Sequence, residues 1–598
     1  MNARGVPYAR FLDATFPIWK NLPTRQFNKL RKPLRQLRDR YLEVAEDLGS
    51  KEEDLYEPFA DLMHKILHNN AGLCEYVKSH KKRKLQGAVK EAARGPDGVI
   101  IYKPPGQNEP TNADDLHWRE ILLVIDLKRT KNFGATLNPP KSNSGMTEEQ
   151  IEIELKKNGS VKLDGRQQLA SYGLEQLSSN PLKQFSHGMA VIDSFVESWY
   201  YDRSGPIGSS VIDLRRDDDF ELFCKQVLAT SYADPLSFGF NPRFDIKRPV
   251  SANSQKITIG GWDISFDASR PIHVSRGFTG RCSTIFCAST QTPDTGVEHQ
   301  CVLKLSYQPC DRIPSEADHY ALLWEKEVKG IPEILCWEKF PSLAEEGPRC
   351  ALMEYLPDYQ FGAARYLEAI VIAERFEPIT SIDINKDTKS IFKVFLSIIE
   401  THHQAYEVAG ILHRDIHVDN LMWTIVDGQP TGFLIDWDFA SGPATHPPED
   451  HQQTAFTLNA ASLAIDLLQN EPLPRLYRHD LESFFWALWS IILTGADAVG
   501  LDEFVKVSRW EQGSVEERKA WKQAFLDRGY RGAIARLNES EKTGLSLPNI
   551  TACLVQLCQL IFDGQEAIEY RSELTNVETA DDHITYAKFV AAVKLAIQ

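Results

Sequence analysis

The chain has 598 residues, 42% of them hydrophobic and 25% charged, with a formal net charge of -16. That length is too great for one hydrophobic core and sets an upper range of roughly three or four domains. The composition is that of a soluble globular protein, and the acidic balance argues against a general binder of nucleic acid or membrane surfaces.

None of the 10 cysteines forms a close C-x-x-C pair with zinc spacing. Residues 1–25 mix charge, proline and polar side chains, unlike a secretory signal. Reduced thiols in an intracellular setting, cytoplasmic or nuclear, are expected, with no membrane partner. The longest apolar run, FFWALWSIILTGA at 484–496, is well short of the ~20 residues that span a bilayer and reads as a buried helix.

Residues 1–215 read as an N-terminal α/β domain. Pro96 and Asp97 open a strand-like run, Gly98-Val99-Ile100-Ile101-Tyr102. A second run from Ile121 ends in Asp126-Leu127-Lys128. Asp on one strand and Asp-x-Lys on its neighbour is the spacing of the PD-(D/E)xK nuclease core, a restriction-endonuclease-like fold. There carboxylates bind a divalent ion and the Lys orients the attacking water. Glu57, on a helix before the first strand, completes a nuclease-like site of Glu57, Asp97, Asp126 and Lys128. The motif is short, and the alternative is that Asp126 and Lys128 are ordinary edge-strand charges. Gln168 and Tyr172, at i and i+4, share a helix face nearby. The basic cluster Lys81-Lys82-Arg83-Lys84 is either a phosphate grip, a nuclear import signal or a solvated turn. Any nucleic-acid partner would come through this domain alone. Residues 138–159 read as a polar loop and 216–256 as a linker.

A second domain spans 257–598, with a smaller lobe to about 357 and a larger one from 358. Gly277 and Gly280 lie in a turn between two strands, where backbone amides cradle phosphate, although the glycine content is thin. The strand Cys301-Val302-Leu303-Lys304-Leu305 carries a lysine suited to phosphate oxygens. A helix opening near Pro314 places Glu316 to hold that ammonium, with Glu325 and Glu327 as later alternatives. Residues 351–357 read as a strand entering the connection between lobes.

HRDIHVDN at 413–420 fits H-R-D-x-x-x-x-N, and LIDWDFA at 434–440 puts an Asp after a strand. A hairpin-like stretch with Asp427-Gly428 as its turn joins them. Phosphoryl transfer requires a carboxylate to orient and deprotonate a hydroxyl and oxygen ligands for Mg²⁺. Asp415 suits the first task, and Asn420 with Asp436 the second. Asp480, in HDLESFF, lies near a helix N-terminus, where it favours the helix dipole; in a kinase it would also brace the backbone of the catalytic loop.

On HRDIHVDN, LIDWDFA and HDLESFF, with KLSYQPCDRIPSE, GRCSTIF and, upstream, QLASY and WYYDRSG, the chain resembles the fungal-type protein kinase family. The resemblance implies an α+β, two-lobed kinase fold, ATP with Mg²⁺ as cofactors, and transfer of the γ-phosphate to protein hydroxyls, Ser/Thr more than Tyr. It assigns catalysis to Asp415, Lys304 and Asn420, nucleotide binding to Gly277, Gly280, Lys304 and Glu316, and metal to Asn420 and Asp436. The protein substrate is not readable. Asp438 stands where D-F-G has Gly. His417 stands where many Ser/Thr kinases carry a Lys, and residues 451–456 are a worn activation segment with no clear A-P-E. Those departures keep three rivals open: a nucleotide-binding pseudokinase or scaffold, a small-molecule kinase (disfavoured by Arg414), and a metal-dependent nuclease regulated by the kinase-like half.

Overall fold

The computed structural model describes residues 3–68, 73–79, 95–103, 111, 116–129, 165–244, 254–277, 280–291, 296–442, 460–469, 473–495, 506–539, 548–570 and 576–598. The chain forms two compact units, Met1–Arg312 with Cys336–Val371, and Ile313–Leu335 with Ile372–Gln598. The division falls inside the kinase-like segment. The N-terminal domain and the β-rich part of the kinase-like segment belong to one compact unit.

The first unit holds an eight-stranded sheet of β1 (Ala3–Val6), β2 (Cys74–Lys78), β3 (Gly98–Tyr102), β4 (Ile121–Lys128), β5 (Phe185–Ile192), β6 (Phe195–Asp202), β7 (Gly205–Ser209) and β8 (Ile212–Asp213). Its order is β1-β7-β6-β5-β4-β3-β2, with β8 pairing β6. β4 and β5 run parallel, and both are buried at every residue, as expected of central strands covered on both faces. One face is covered by α4 (Gly165–Ser179), whose Leu169 and Tyr172 pack with Val124 and Tyr201. A Cβ at Gly173 would sit 2.8 Å from the Tyr201 ring, so the close approach of α4 to the sheet requires glycine there. The other face is covered by α1 (Tyr8–Thr15), α2 (Thr24–Glu46), α3 (Tyr56–His68) and α5 (Asp217–Thr230). Phe59 of α3 there meets Tyr41, Tyr76 and Phe223.

The same unit carries a six-stranded sheet of β9 (Ser254–Ile259), β10 (Trp262–Val274), β11 (Thr284–Gln291), β12 (Glu298–Pro309), β13 (Ile334–Lys339) and β14 (Arg365–Ile372), in the order β13-β14-β12-β11-β10-β9. The glycine turn joins β10 to β11. Residues 351–357, expected as a strand, instead end a helix, Pro348–Met353, that has proline in its first turn, and then turn. Its Leu352 is buried with Val6, Phe11 and Tyr200. A short apolar run does not distinguish strand from buried helix, and tertiary packing decided this one. β14 is the strand that leaves the unit.

The second unit is helical around α6 (Glu316–Glu325), α7 (Thr388–Gln404), α8 (Tyr477–Gly495), α9 (Pro548–Tyr570) and α10 (Tyr586–Leu595), with a three-stranded sheet of β15 (Glu377–Pro378), β16 (Leu421–Val426) and β17 (Gln429–Leu434). Ser315 caps α6 in a reciprocal box with Asp318, which sets the helix start at Glu316. α8 is buried on all sides from Leu481 to Leu493, with Phe484 edge-on to Phe395 and Trp486 against Trp510 and Phe525. No described helix is long and apolar enough to cross a membrane. With helices and sheets combined in this way the chain is α+β, and it fits a two-lobed kinase-like fold.

Candidate functional site: the 413–436 loop and hairpin

After α7 the chain reverses at Gly410, whose φ of 67° is left-handed. Leu412 then bridges to Ser441, with backbone hydrogen bonds in both directions. That bridge brings the segment carrying Asp415 alongside the segment after Asp436. His413 locks the two together: its Nε2–H donates to Ile435 O at 2.9 Å, and its Nδ1 accepts from Asp415 N at 3.3 Å. Both partners require a neutral ring, and burial accordingly pushes the His413 pKa down to about 4. Asn420 closes the loop, its Nδ2 donating to Asp415 O at 2.9 Å. The amide nitrogen being committed there, the side-chain oxygen of Asn420 is the end suited to a cation.

The hairpin fixes the second acidic residue. Val426 pairs with Gln429 across a two-residue turn at Asp427 and Gly428, whose φ values of 49° and 75° are those of a primed turn. Register runs back to Leu421 opposite Leu434, and Ile435 N donates to Asn420 O at 3.2 Å. Asn420 and Asp436 are thereby neighbours at one end of the hairpin. Asp436 is left-handed, with φ 65° and ψ 62°, an unfavourable backbone state for a non-glycine residue. Its N–H donates to Tyr320 Oη at 3.0 Å, a contact from α6 that the sequence did not reveal. Burial and the charges of Glu316 and Asp436 hold the Tyr320 phenol well above its ordinary range, so it stays protonated. Glu316 is itself buried on α6.

Asp480 braces the loop, the role that the kinase resemblance implied for it. Its Oδ2 accepts from His402 Nε2 at 2.8 Å and from Arg414 N at 3.0 Å. Burial alone would raise this carboxyl, but the His402 hydrogen bond and charge and the Arg414 amide hold it at about 2. Arg414 is left-handed, with φ 67°. The Asp480 contact therefore sits where the backbone is strained. His417 lies with Nε2 3.7 Å from Asp415 Oδ2 and Nδ1 3.7 Å from Asp419 Oδ2. Burial would lower its pKa, but Asp415, Asp419 and Asp436 together raise it above the ordinary histidine value. Part of the positive charge that a lysine would bring at this position is thus retained.

Beyond the loop, residues 463–467 are held by a second buried network. Glu482 Oε1 accepts from Ile465 N at 2.8 Å and its Oε2 from Gln565 at 2.8 Å. Asp466 pairs with Arg478 at 2.7 Å and with His479 at 2.9 Å. Lys522 donates to Leu463 O. Only the charge-bearing residue types signalled these positions in the sequence, and their partners are 12 to 83 residues away in the chain.

In the first unit, Lys304 is buried on β12 opposite Ile285 of β11, the strand that follows the glycine turn. Gly280 has φ 97°, a conformation only glycine adopts comfortably. Cys282 Sγ lies 3.1 Å from Gly277 O and 3.4 Å from Gly280 O, closing the turn on itself.

The nuclease-like residues divide. Asp97, Asp126 and Lys128 come together: Lys128 Nζ is 2.8 Å from Asp126, 3.4 Å from Asp97 and 3.6 Å from Glu52. Glu57 does not join them; it is exposed and pairs with Lys78. The acidic helical residue at the cluster is Glu52, five positions earlier, which the sequence reading missed. Asp97 is held within the fold, accepting from Tyr56 Oη and Leu127 N, each at 2.9 Å, and from Lys128. Burial raises the Asp126 carboxyl to about 8, with Lys128 opposing and Asp97 adding to the shift. Among the described residues no group of three or more His, Cys, Asp or Glu is arranged to hold a metal ion. Gln168 does meet Tyr172, at 2.6 Å, and Tyr172 donates to Gly95 O. The Lys81–Lys84 cluster, residues 138–159 and residues 451–456 lie outside the described residues.

No curated protein matches this chain. A family model described as fungal protein kinase matches residues 138–341 and 348–492, more than half of the chain.

Proposed function

The chain belongs to the fungal protein kinase family, and from that premise we propose that it is an ATP-dependent protein kinase acting on protein hydroxyls, serine or threonine more than tyrosine. The observation that carries the reading is the hydrogen-bonded frame in which His413 ties Asp415 to the strand before Asp436 while Asn420 ties itself to Asp415. Such a frame sets three side chains at fixed spacing. Positioning of this kind is most of what phosphoryl transfer asks of a protein.

In this reading Asp415 orients the acceptor hydroxyl and takes its proton. The Asn420 oxygen and an Asp436 carboxylate oxygen would hold Mg²⁺. One carboxylate, one amide oxygen and the phosphates themselves form a donor set that suits this hard cation, which keeps several waters and needs no all-protein cage. Bound ATP with Mg²⁺ supplies the transferable phosphoryl group. Lys304 is assigned to its phosphates, Glu316 to holding that lysine, and the amides around Gly277 and Gly280 to the phosphate oxygens. His417, with its raised pKa, supplies partial positive charge beside Asp415.

The test is phosphate transfer from labelled ATP with Mg²⁺, comparing the native chain with Asp415→Asn. The expected result is labelling of protein by the native chain and a loss of roughly a hundredfold or more in the variant, the scale of a general base. Equal, negligible signal in both, with a thermal shift on adding Mg-ATP, would select a nucleotide-binding scaffold instead. Transfer to a small hydroxylated metabolite with no protein labelled would move the substrate class.

A further inference from the structure

The WYYDRSG stretch is explained neither by the catalytic loop nor by the Asp97–Lys128 cluster. It ends β6 and turns into β7. Asp202 is 1% exposed and pairs with Arg349, itself 2% exposed, at 2.8 Å. Asp202 also accepts from Tyr200 Oη and Ser204 N, and Arg349 donates to the carbonyls of Ser204 and Gly205. The turn is therefore held rigidly from both sides. On it, Arg203 spans two domains. One guanidinium nitrogen donates to Leu177 O at the end of α4, at 2.9 Å, and the other donates to Gly277 O of the glycine turn, at 2.5 Å. Its guanidinium also lies 5.5 Å from the centre of the Tyr307 ring on β12, the strand that carries Lys304. Tyr307 N in turn takes Arg281 O of the same turn as its acceptor, at 2.6 Å.

A second strut stands beside the first. Glu175 of α4 is fully buried, and its Oε1 receives Arg276, the residue before Gly277. Its Oε2 has no hydrogen-bond partner among the described residues. A buried carboxylate with one cationic partner holds that partner firmly, since separation leaves the charge stranded in a low-dielectric interior.

We infer that Glu175 and Arg203 are positioning residues for the glycine turn, so that the N-terminal domain is a working part of the nucleotide site and not an appended module. The inference rests on the kinase reading for what the turn binds. It offers a physical answer to the thin glycine content: a turn with few glycines is shaped from outside, by two arginine contacts that fix Arg276 and Gly277 O.

The test uses the full-length protein and three variants, Glu175→Gln, Arg203→Lys and the double exchange Glu175→Gln with Arg276→Gln, which restores a neutral hydrogen-bonding pair. Tyr41→Phe, which removes a hydrogen bond to Asp193 O elsewhere in the domain, controls for general destabilisation. Amide hydrogen exchange over residues 275–283 reads the strut directly. The single variants at 175 and 203 should exchange at least tenfold faster there, with the double exchange recovering toward native and Tyr41→Phe unchanged. The KM for ATP should rise about tenfold in the same two variants while kcat stays within about twofold. Unchanged exchange over 275–283, or a KM shift matched by Tyr41→Phe, would overturn the inference. Faster exchange in a protein whose native form shows no ATP binding would uphold the strut and overturn the kinase reading instead.

Discussion

Two carboxylate-bearing sites in this chain contrast in what their surroundings hold. Around Asp415 the scaffold grips backbone: Asp480 takes Arg414 N, His413 takes Asp415 N, and Asn420 takes Asp415 O. Around Asp97 the scaffold grips the side chain, with Tyr56, Leu127 N and Lys128 all donating to the carboxylate itself. At Asp415 the backbone on either side of the carboxylate is fixed, with His417 Nε2 3.7 Å from the carboxylate itself; at Asp97 the carboxylate ties the start of β3 to Leu127 and Lys128 of β4.

The comparison breaks most readily at Asp415. Asp415→Asn should cost roughly two to four orders of magnitude in phosphate transfer, read by labelled ATP, and leave the thermal midpoint nearly unmoved. Asp97→Ala should do the opposite. Leaving Lys128 beside one fewer carboxylate and two donors unmet should cost about 3 kcal/mol in denaturant unfolding. Transfer measured well below the melting temperature should be unaffected. If Asp97→Ala instead abolished metal-dependent cleavage of DNA or RNA by the native protein, the cluster would be catalytic after all.

A pH series sharpens the same contrast. The Asp126 carboxyl is raised to about 8 when folded, against roughly 3.9 when unfolded. The folded state thus binds the extra proton between those values, and its contribution to stability is full below about 4 and lost as pH rises through about 8. Asp126→Asn should flatten that part of the stability curve, measured by urea unfolding at successive pH values. A smaller effect is expected at His417, which faces Asp415, Asp419 and Asp436. Transfer should fall as pH rises through its raised pKa, and His417→Lys should hold the rate on the alkaline side while His417→Gln loses a few-fold throughout. Gly173→Ala should cost about 1–3 kcal/mol of stability from overpacking against Tyr201, measured by denaturant unfolding.

The hairpin between Asn420 and Asp436 was legible because Asp427-Gly428 demands a primed turn, and register then follows by counting. Lys304 on its strand and the start of α6 near Pro314 were legible for similar local reasons. The helix at Pro348–Met353 was not, since Ala351, Leu352 and Met353 suit either a strand or a buried helical face. Glu52 was missed for Glu57 because choosing between them depends on how the helical turn Glu52–Leu55, just before α3, approaches β4, which no local pattern reports.

The sequence by itself determined the family, the α+β class and the identities of the groups that meet at 413–436, since their spacing lies within one loop and one hairpin. The tertiary structure alone decided which distant side chains secure them: Tyr320 beneath Asp436, Glu482 and Lys522 behind residues 463–467, and Glu175 with Arg203 on the glycine turn. These partners are 17 to 116 residues apart in the chain. A contact of that kind leaves no periodicity or spacing to read. It exists because burial of charge forces a partner to be found once the core has closed.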